Sequence, residues 1–324
     1  MLIVFCMGLL VLAGPAYAQP HGKSWRIGFL WGGSQAASVE TGSAQAFLQG
    51  MRDYGYAKGR DYVIEQRFAN GKYDVLPGLA GELVSLKVDV IVTAGAAATR
   101  AVQKATGTLP VVFAVVNDPL ITGFAQSLAR PGGNLTGLSR STVDISPKHV
   151  ELLKTLVPKL SLLAVLVNPG NPAHPAVFKA VQGAAQTLGV KVLQVEARTP
   201  EQIERGFAAV RRAGAQGLIV GLDQFFIDNA HGIAKLALRA RLPTIYSVSD
   251  DVRAGGLMSY GPPWAEFYRH SATYVVKILK GARPGDLPIE QPTRYALAIN
   301  RKTAKTLKLA IPRSVLLRAD EVIE

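Results

Sequence analysis

Short runs dense in Val, Ile, Leu and Phe alternate along the chain with stretches of helical length. The runs at 25–31, 62–68, 88–93 and 111–116 read as strands, and the segments 38–54, 73–86, 97–105 and 120–129 read as helices. Gly55, Gly59, Gly71, Gly107 and Pro110 punctuate the connections. Near-continuous apolar strands mark a parallel sheet covered on both faces by helices, because alternation disappears when neither face meets water. The glycine-rich stretch Arg130, Pro131, Gly132, Gly133, Asn134 breaks the rhythm and leads to a short extended segment, 135–139. The alternation then resumes, with strands at 162–167, 191–196, 217–221, 244–248, 257–260 and 293–299 and helices at 175–188, 200–213, 225–240 and 266–279. The pattern predicts an α/β protein of two doubly wound, Rossmann-like lobes joined at a glycine-rich crossover.

The amino terminus falls outside this rhythm. Residues 1–18 carry no charge, 2–13 are apolar apart from Gly8, and Gly14 and Pro15 precede the small–x–small triplet Ala16, Tyr17, Ala18. This predicts a secretory signal peptide over 1–18, Gln19 as the first mature residue, and a periplasmic destination. The apolar stretch is too short to span a bilayer. No Lys or Arg precedes it, so translation is expected to start further upstream. Cys6, the single cysteine, leaves with this leader.

Composition narrows the chemistry. A chain of 324 residues exceeds one ordinary core. With no cysteine after position 6, a disulfide scaffold, a cysteine zinc site and a cysteine-ligated iron–sulfur cluster are excluded. His21, His149, His174, His231 and His270 stand apart from one another in sequence, so no metal or other cofactor is expected. There is no G-x-S-x-G elbow and no P-loop, and Trp31–Gly32–Gly33–Ser34 lacks the G-x-G-x-x-G spacing of a dinucleotide loop. Lys and Arg number 36 against 23 acidic residues, a net charge of +13. The basic residues, among them Arg100, Lys104, Arg211 and Arg212, are scattered over predicted helices without a run of five. That describes a cationic surface, not a nucleic-acid interface.

In open parallel sheets, ligands bind outside the carboxyl ends of the strands. Those ends supply the candidates: Trp31 and Ser34, then Ala96 and Ala97 at the head of a helix, Asp118, Ser139, Asn168 and Asn171, Asp223, Tyr246 and Tyr260. Helix amino termini there suit a carboxylate. Asp118 and Asp223 suit an amine or hydroxyls, and Trp31, Tyr246 and Tyr260 offer flat stacking surfaces. Each residue has an ordinary alternative as a cap, turn or core residue.

Several segments together carry a resemblance. They include Ile27–Leu30, Tyr73–Asp74 with Leu76–Pro77, and Asp118–Pro119. They continue with Arg130–Gly137, Leu166–Pro169, Ala254–Pro262, Gln291–Thr293 and the tail Arg318–Glu324. In order and without large gaps, they resemble the extracytoplasmic substrate-binding proteins of ABC importers, in the tryptophan/tyrosine-type branch. The resemblance implies a type I periplasmic-binding-protein fold in which two lobes close on a ligand about a three-strand hinge. It implies lobe one over 25–138 plus 262–290, lobe two over 139–261 plus 291–324, and hinge crossings near Gly137, Gly261 and Pro292. It implies a binding protein, not an enzyme. The expected ligand is a small polar or aromatic carboxylate such as an amino acid, taken up by a monomer that docks on a membrane permease with a separate ATPase. A sensory protein that hands its closed state to a receptor or regulator is the alternative. In this family the loop after the third strand offers Thr or Ser to the ligand carboxylate; here the matching position is Ala97, so backbone N–H groups with Ser34 or Thr99 would have to substitute.

Overall fold

The computed structural model describes residues 24–324, less the side chains of 142–144; the proposed signal peptide lies outside the described residues. The first half runs β1 (Trp25–Trp31), α1 (Gln35–Glu40), α2 (Ser43–Asp53), β2 (Tyr62–Phe68), α3 (Leu76–Ser85), β3 (Val90–Ala94), α4 (Ala96–Ala105), β4 (Val111–Asn117) and β5 (Leu135–Arg140). Its five strands form a parallel sheet in the order β2-β1-β3-β4-β5. Strand parity divides the core. Ile27, Phe29 and Trp31 of β1, with Val90, Val92 and Ala94 of β3, face one apolar cluster, while Leu30 and Ile91 face the other. Successive side chains on a strand point to opposite faces, so this partition follows directly from the sequence. In β4 it slips between Ala114 and Val115, where the register of the sheet shifts.

The second half continues with α5 (Thr142–Leu156), β6 (Leu162–Val167), α6 (His174–Thr187), β7 (Lys191–Glu196), α7 (Pro200–Ala213), β8 (Gly217–Val220), α8 (Gln224–Asp228), α9 (Ala230–Ala240), β9 (Thr244–Tyr246), α10 (Ser249–Arg253) and β10 (Met258–Gly261). Then follow α11 (Trp264–Leu279), β11 (Ala296–Asn300), α12 (Arg301–Thr306), α13 (Arg313–Leu316) and β12 (Glu321–Ile323). The second sheet has the order β12-β11-β10-β9-β8-β6-β7 and is parallel except where β10 meets β11. Helix α11 leaves this sheet and packs on α2 and β4 of the first. Gly50 makes that packing possible, since a Cβ there would strike the Arg269 carbonyl oxygen and the Ala272 methyl.

The chain thus passes between the sheets three times, after β5, between β10 and α11, and before β11. The passes lie side by side. Ser139 N–H donates to the Glu290 carbonyl at 2.9 Å, and Gly261 pairs with Ala296. Gly261 backs so closely onto the Ser247 carbonyl that no Cβ would fit.

Several elements differ from the sequence reading, and the helix read over 38–54 is two, α1 and α2, broken at Thr41 and Gly42, whose φ is 66°. The stretch 120–129 forms turns, not a helix. Side chains of α4 capture its carbonyls, Arg100 that of Thr122 and Gln103 that of Gly123, and Arg100 lies over the Phe124 ring. The predicted helix 225–240 is two helices, because Asn229 leaves helical geometry and its Nδ2 donates back to the Phe225 carbonyl. Helix α5 occupies a stretch for which no element was expected, despite Pro147 in its second turn. Among the described residues no helix is long and apolar enough to cross a membrane.

Candidate functional site

The carboxyl ends of β3 and β4 in the first lobe and of β8 in the second border one narrow cavity of about 20 Å³, room for roughly one water. Its first wall is Gly32, Tyr73, the run Ala94–Ala98, Val115, Val116, Asn117 and Trp264; its second is Asn171, Ala173, Leu222, Asp223 and Gln224. Gly95, at φ 81°, turns the chain from β3 into α4. The first-turn N–H groups of α4, at Ala96, Ala97 and Ala98, have no carbonyl one turn earlier to bond, and they carry the positive end of the helix dipole.

The second wall is a hydrogen-bonded network. Asp223 accepts from Asn168 Nδ2 (3.0 Å), Asn171 Nδ2 (2.8 Å) and the Phe225 N–H (3.1 Å), the last of which caps α8. Asn168 Oδ1 accepts from Gly170 N–H, and Asn171 Oδ1 from Ala173 N–H, so the Asn–Pro–Gly–Asn loop folds around the carboxylate. His174 closes the network from behind. Its Nδ1 accepts from Asn168 N–H at 2.6 Å and its Nε2 donates to the Leu222 carbonyl at 3.1 Å, with burial holding its pKa below the ordinary value. It is a structural histidine. Burial and the neighbouring Asp223 carboxylate push the Tyr73 phenol well above its usual range, so Tyr73 remains a neutral hydroxyl.

The lobes also touch directly. Trp31 Nε1 donates to Gln224 Oε1 at 2.8 Å, a buried bond. The Asp228 carboxylate lies against Gly33, where a Cβ would come within 2.7 Å of its Oδ1. Burial raises Asp228 to about 6, opposed by hydrogen bonds from Ser34 and reinforced by Asp223. Phe225 packs on Gly71, and Tyr73 on Gly170. On the rim, His231 reaches Glu40 at 3.1 Å. Trp264 Nε1 is buried without a hydrogen-bond partner, as is Asn117 Oδ1. Both residues line the cavity.

The family model for the ABC transporter substrate binding protein matches residues 38–323. The chain belongs to that family. Among its relatives, a tyrosine-binding protein of Clostridioides difficile is 25% identical over 281 residues, 86% of this chain and 80% of the relative. The substrate-binding protein also superposes on an ABC domain from Streptococcus pneumoniae in complex with L-Trp, with TM-score 0.85 at 24% identity, covering 93% of this chain and 100% of that one. A ligand-free, open structure of a substrate-binding protein with adhesive properties from Clostridium difficile superposes at 0.63, with 23% identity over 92% and 99% of the two chains. These neighbours share the type I periplasmic-binding-protein fold.

Of the residues singled out in the sequence of this substrate-binding protein, Ala96, Ala97, Asn171 and Asp223 line the cavity. Asn168 lies directly behind it, bonded to Asp223. Trp31, Tyr246 and Tyr260 do not stack into the cavity. Trp31 has the parity of Ile27 and Phe29, so its ring goes to the α11 face, stacked on Tyr268 at 5.1 Å. Tyr246 is buried in the core of the second lobe against Gly256. Tyr260 stacks on Tyr295 at 5.7 Å near the crossings. Ser34 caps α1, accepting from Ala37 N–H. The backbone of Asp118, at φ 43°, makes the turn after β4, and Ser139 is fully buried in β5. Tyr73, Gln224 and Trp264 were not among the strand-end candidates, and Asn117, which stood there with Asp118, was not chosen. Asn117 and Gln224 each adjoin a chosen residue and were passed over for it. Tyr73 and Trp264 come from helix starts, which strand ends do not reveal.

Proposed function

We propose that this protein is the periplasmic solute receptor of an importer, which binds a small carboxylate-bearing ligand of the amino-acid or aromatic-acid type between its lobes and closes over it. The carrying observation is the narrow cavity between the strand ends, backed on one side by the Asn168–Asn171–Asp223 network, with the Trp31–Gln224 hydrogen bond joining the two lobes beside it. A space for about one water admits no amino acid, so loading requires the lobes to part and then close around the ligand on a wider cleft than this one. The higher similarity to the L-Trp complex than to the ligand-free open structure supports reading this conformation as the closed one. Contacts made only in the closed state let a ligand shift the open–closed equilibrium. A membrane permease with its own ATPase is the proposed receiver of that closed form. The tyrosine-binding relative makes aromatic amino acids the first compounds to try.

A ligand that binds only the folded protein raises its melting temperature by mass action. A thermal-shift panel of amino acids, aromatic acids and small carboxylates is expected to give a concentration-dependent rise with at least one of these classes. A panel in which every compound leaves the melting temperature unchanged sinks the reading.

A further inference from the structure

Beside the main cavity lies a second compartment, also about 20 Å³, lined by Asn117, Arg140, Ser146, His149, Leu222 and Ser247 among others. It shares Asn117 and Leu222 with the main one. Arg140 is the last residue of β5, paired across the sheet with Asn117, and is 4% exposed. Its Nη2 donates to Ser247 Oγ of the opposite lobe at 3.0 Å, but its Nε and Nη1 have no partner. Among the described residues no carboxylate forms a salt bridge with it, although Asp118 and Tyr295 act on it electrostatically. His149 adds no negative charge. Its Nε2 donates to the Tyr260 carbonyl at 2.7 Å, and burial holds its pKa down to about 4, so it is neutral.

A guanidinium stays charged at neutral pH, and burying it with unsatisfied donors is strongly unfavourable unless an anion arrives. The α4 amino terminus is the other anion seat, but it offers only part of a charge and no side chain. We propose that Arg140 is the anion anchor of the cleft: with the lobes held apart by the ligand, its carboxylate sits on the unpartnered N–H groups of Arg140, in the compartment between Asn117 and Ser247, and its body fills the widened main cavity. This rests on the solute-binding reading above and names the residue that selects an acid within it. An ionised acceptor on a planar guanidinium is among the stronger hydrogen-bonding arrangements available.

The test compares L-tyrosine, L-tryptophan and 4-hydroxyphenylacetate with their primary amides by calorimetry, on the wild type, Arg140→Gln, Arg140→Lys and Ser247→Ala. The wild type is expected to prefer at least one acid over its amide by about tenfold or more, and Arg140→Gln to lose that preference together with about 10–100-fold of acid affinity. Ser247→Ala cuts the same inter-lobe bond but keeps the charge, and is expected to keep the acid preference. Arg140→Lys keeps the charge without the planar fork and should weaken acids several-fold while leaving amides alone; it serves if the Gln variant does not fold. Undiminished acid affinity in either Arg140 variant, or an equal loss for acids and amides, overturns the proposal and leaves the solute-binding reading standing. If neither these acids nor any compound of the thermal-shift panel binds the wild type, both fall.

Discussion

The two walls of the cleft differ in kind. On the first-lobe side the run Ala94–Ala98 presents small side chains and a helix terminus, so the polarity of that stretch is backbone polarity, with the side chains of Tyr73, Asn117 and Trp264 beside it. On the second-lobe side Asn168, Asn171, Asp223 and Gln224 present side chains locked to one another or to the opposite lobe. The first wall tolerates exchange, because little there depends on a neighbour. The second does not, because each polar atom holds another in place, and a half-satisfied buried network is worse than an apolar one. A ligand meeting these walls therefore finds a locked side-chain network on one side and, on the other, a replaceable stretch at α4 next to the Arg140 charge.

The largest test of that contrast is Asp223→Ala. It removes the cap of α8, strands Asn168 Nδ2 and leaves Asn171 Nδ2 with the Leu222 carbonyl at 3.4 Å. A lost cap costs about 1 kcal/mol, and each orphaned buried donor adds about 1–3 kcal/mol. The variant should lose about 2–4 kcal/mol in urea unfolding and show no ligand-induced rise in melting temperature. Retained stability together with retained binding would mean that the second wall is as replaceable as the first.

Next in size is Trp31→Phe, which deletes the indole N–H but keeps an aromatic ring on Tyr268. Gln224 Oε1 is left buried without its donor, a penalty of about 1–2 kcal/mol borne mainly by the closed form. The ligand-free protein should shift toward open conformers, seen as a larger radius of gyration in small-angle scattering. An unchanged radius would show that the bond does not hold the lobes together.

A smaller effect comes through pH. Asp228 has its pKa raised to about 6 by burial at the lobe contact. On opening, the carboxyl regains water and its pKa falls toward the ordinary value near 3.9. The closed form therefore binds the extra proton. Its advantage is full below the lower pKa and is lost as pH rises through about 6. Because Asp228→Asn removes only this contribution, the wild type should gain more closure from pH 7 to pH 5 than the variant does. His149, with a depressed pKa in the Arg140 compartment, acts in the opposite sense and is common to both proteins. An Asp228→Asn variant with the same pH response as the wild type would place the titration elsewhere.

How much of this was legible in the sequence follows from which signals are local. The strands declared themselves because parallel strands buried on both faces are apolar throughout, and the residues after β6 and β8 marked one wall of the cleft. Trp31 and Tyr246 misled because an aromatic at a strand end looks exposed until its parity is matched to the helices on each face. Trp264 stands at the start of a helix, where a large aromatic reads as core. Arg140 was hidden by position: a charged residue closing a buried strand is the available signal, and it is recognised only when Asn117 is known to be its neighbour. The turns at 120–129 were lost to contacts from α4, which no local pattern records.

The smallest expected effect bears most directly on the first wall. Ala97 is the second residue of α4, half-buried, and contributes no side-chain hydroxyl where the family resemblance implies one. Serine at such a position differs from alanine in helix propensity by only a few tenths of a kcal/mol, and a hydroxyl facing a wet cleft meets no large desolvation penalty. Ala97→Ser should therefore change unfolding stability by less than about 0.5 kcal/mol. If the ligand carboxylate sits on α4, the new hydroxyl adds a donor and affinity rises severalfold. If the carboxylate sits on Arg140, affinity stays within about twofold, since one neutral hydrogen bond that forms to nothing contributes nothing. Titrating the same acid into Ala97→Ser and Arg140→Gln thus separates the two candidate anion seats: the α4 terminus should leave the affinity unmoved, and the Arg140 compartment should set it.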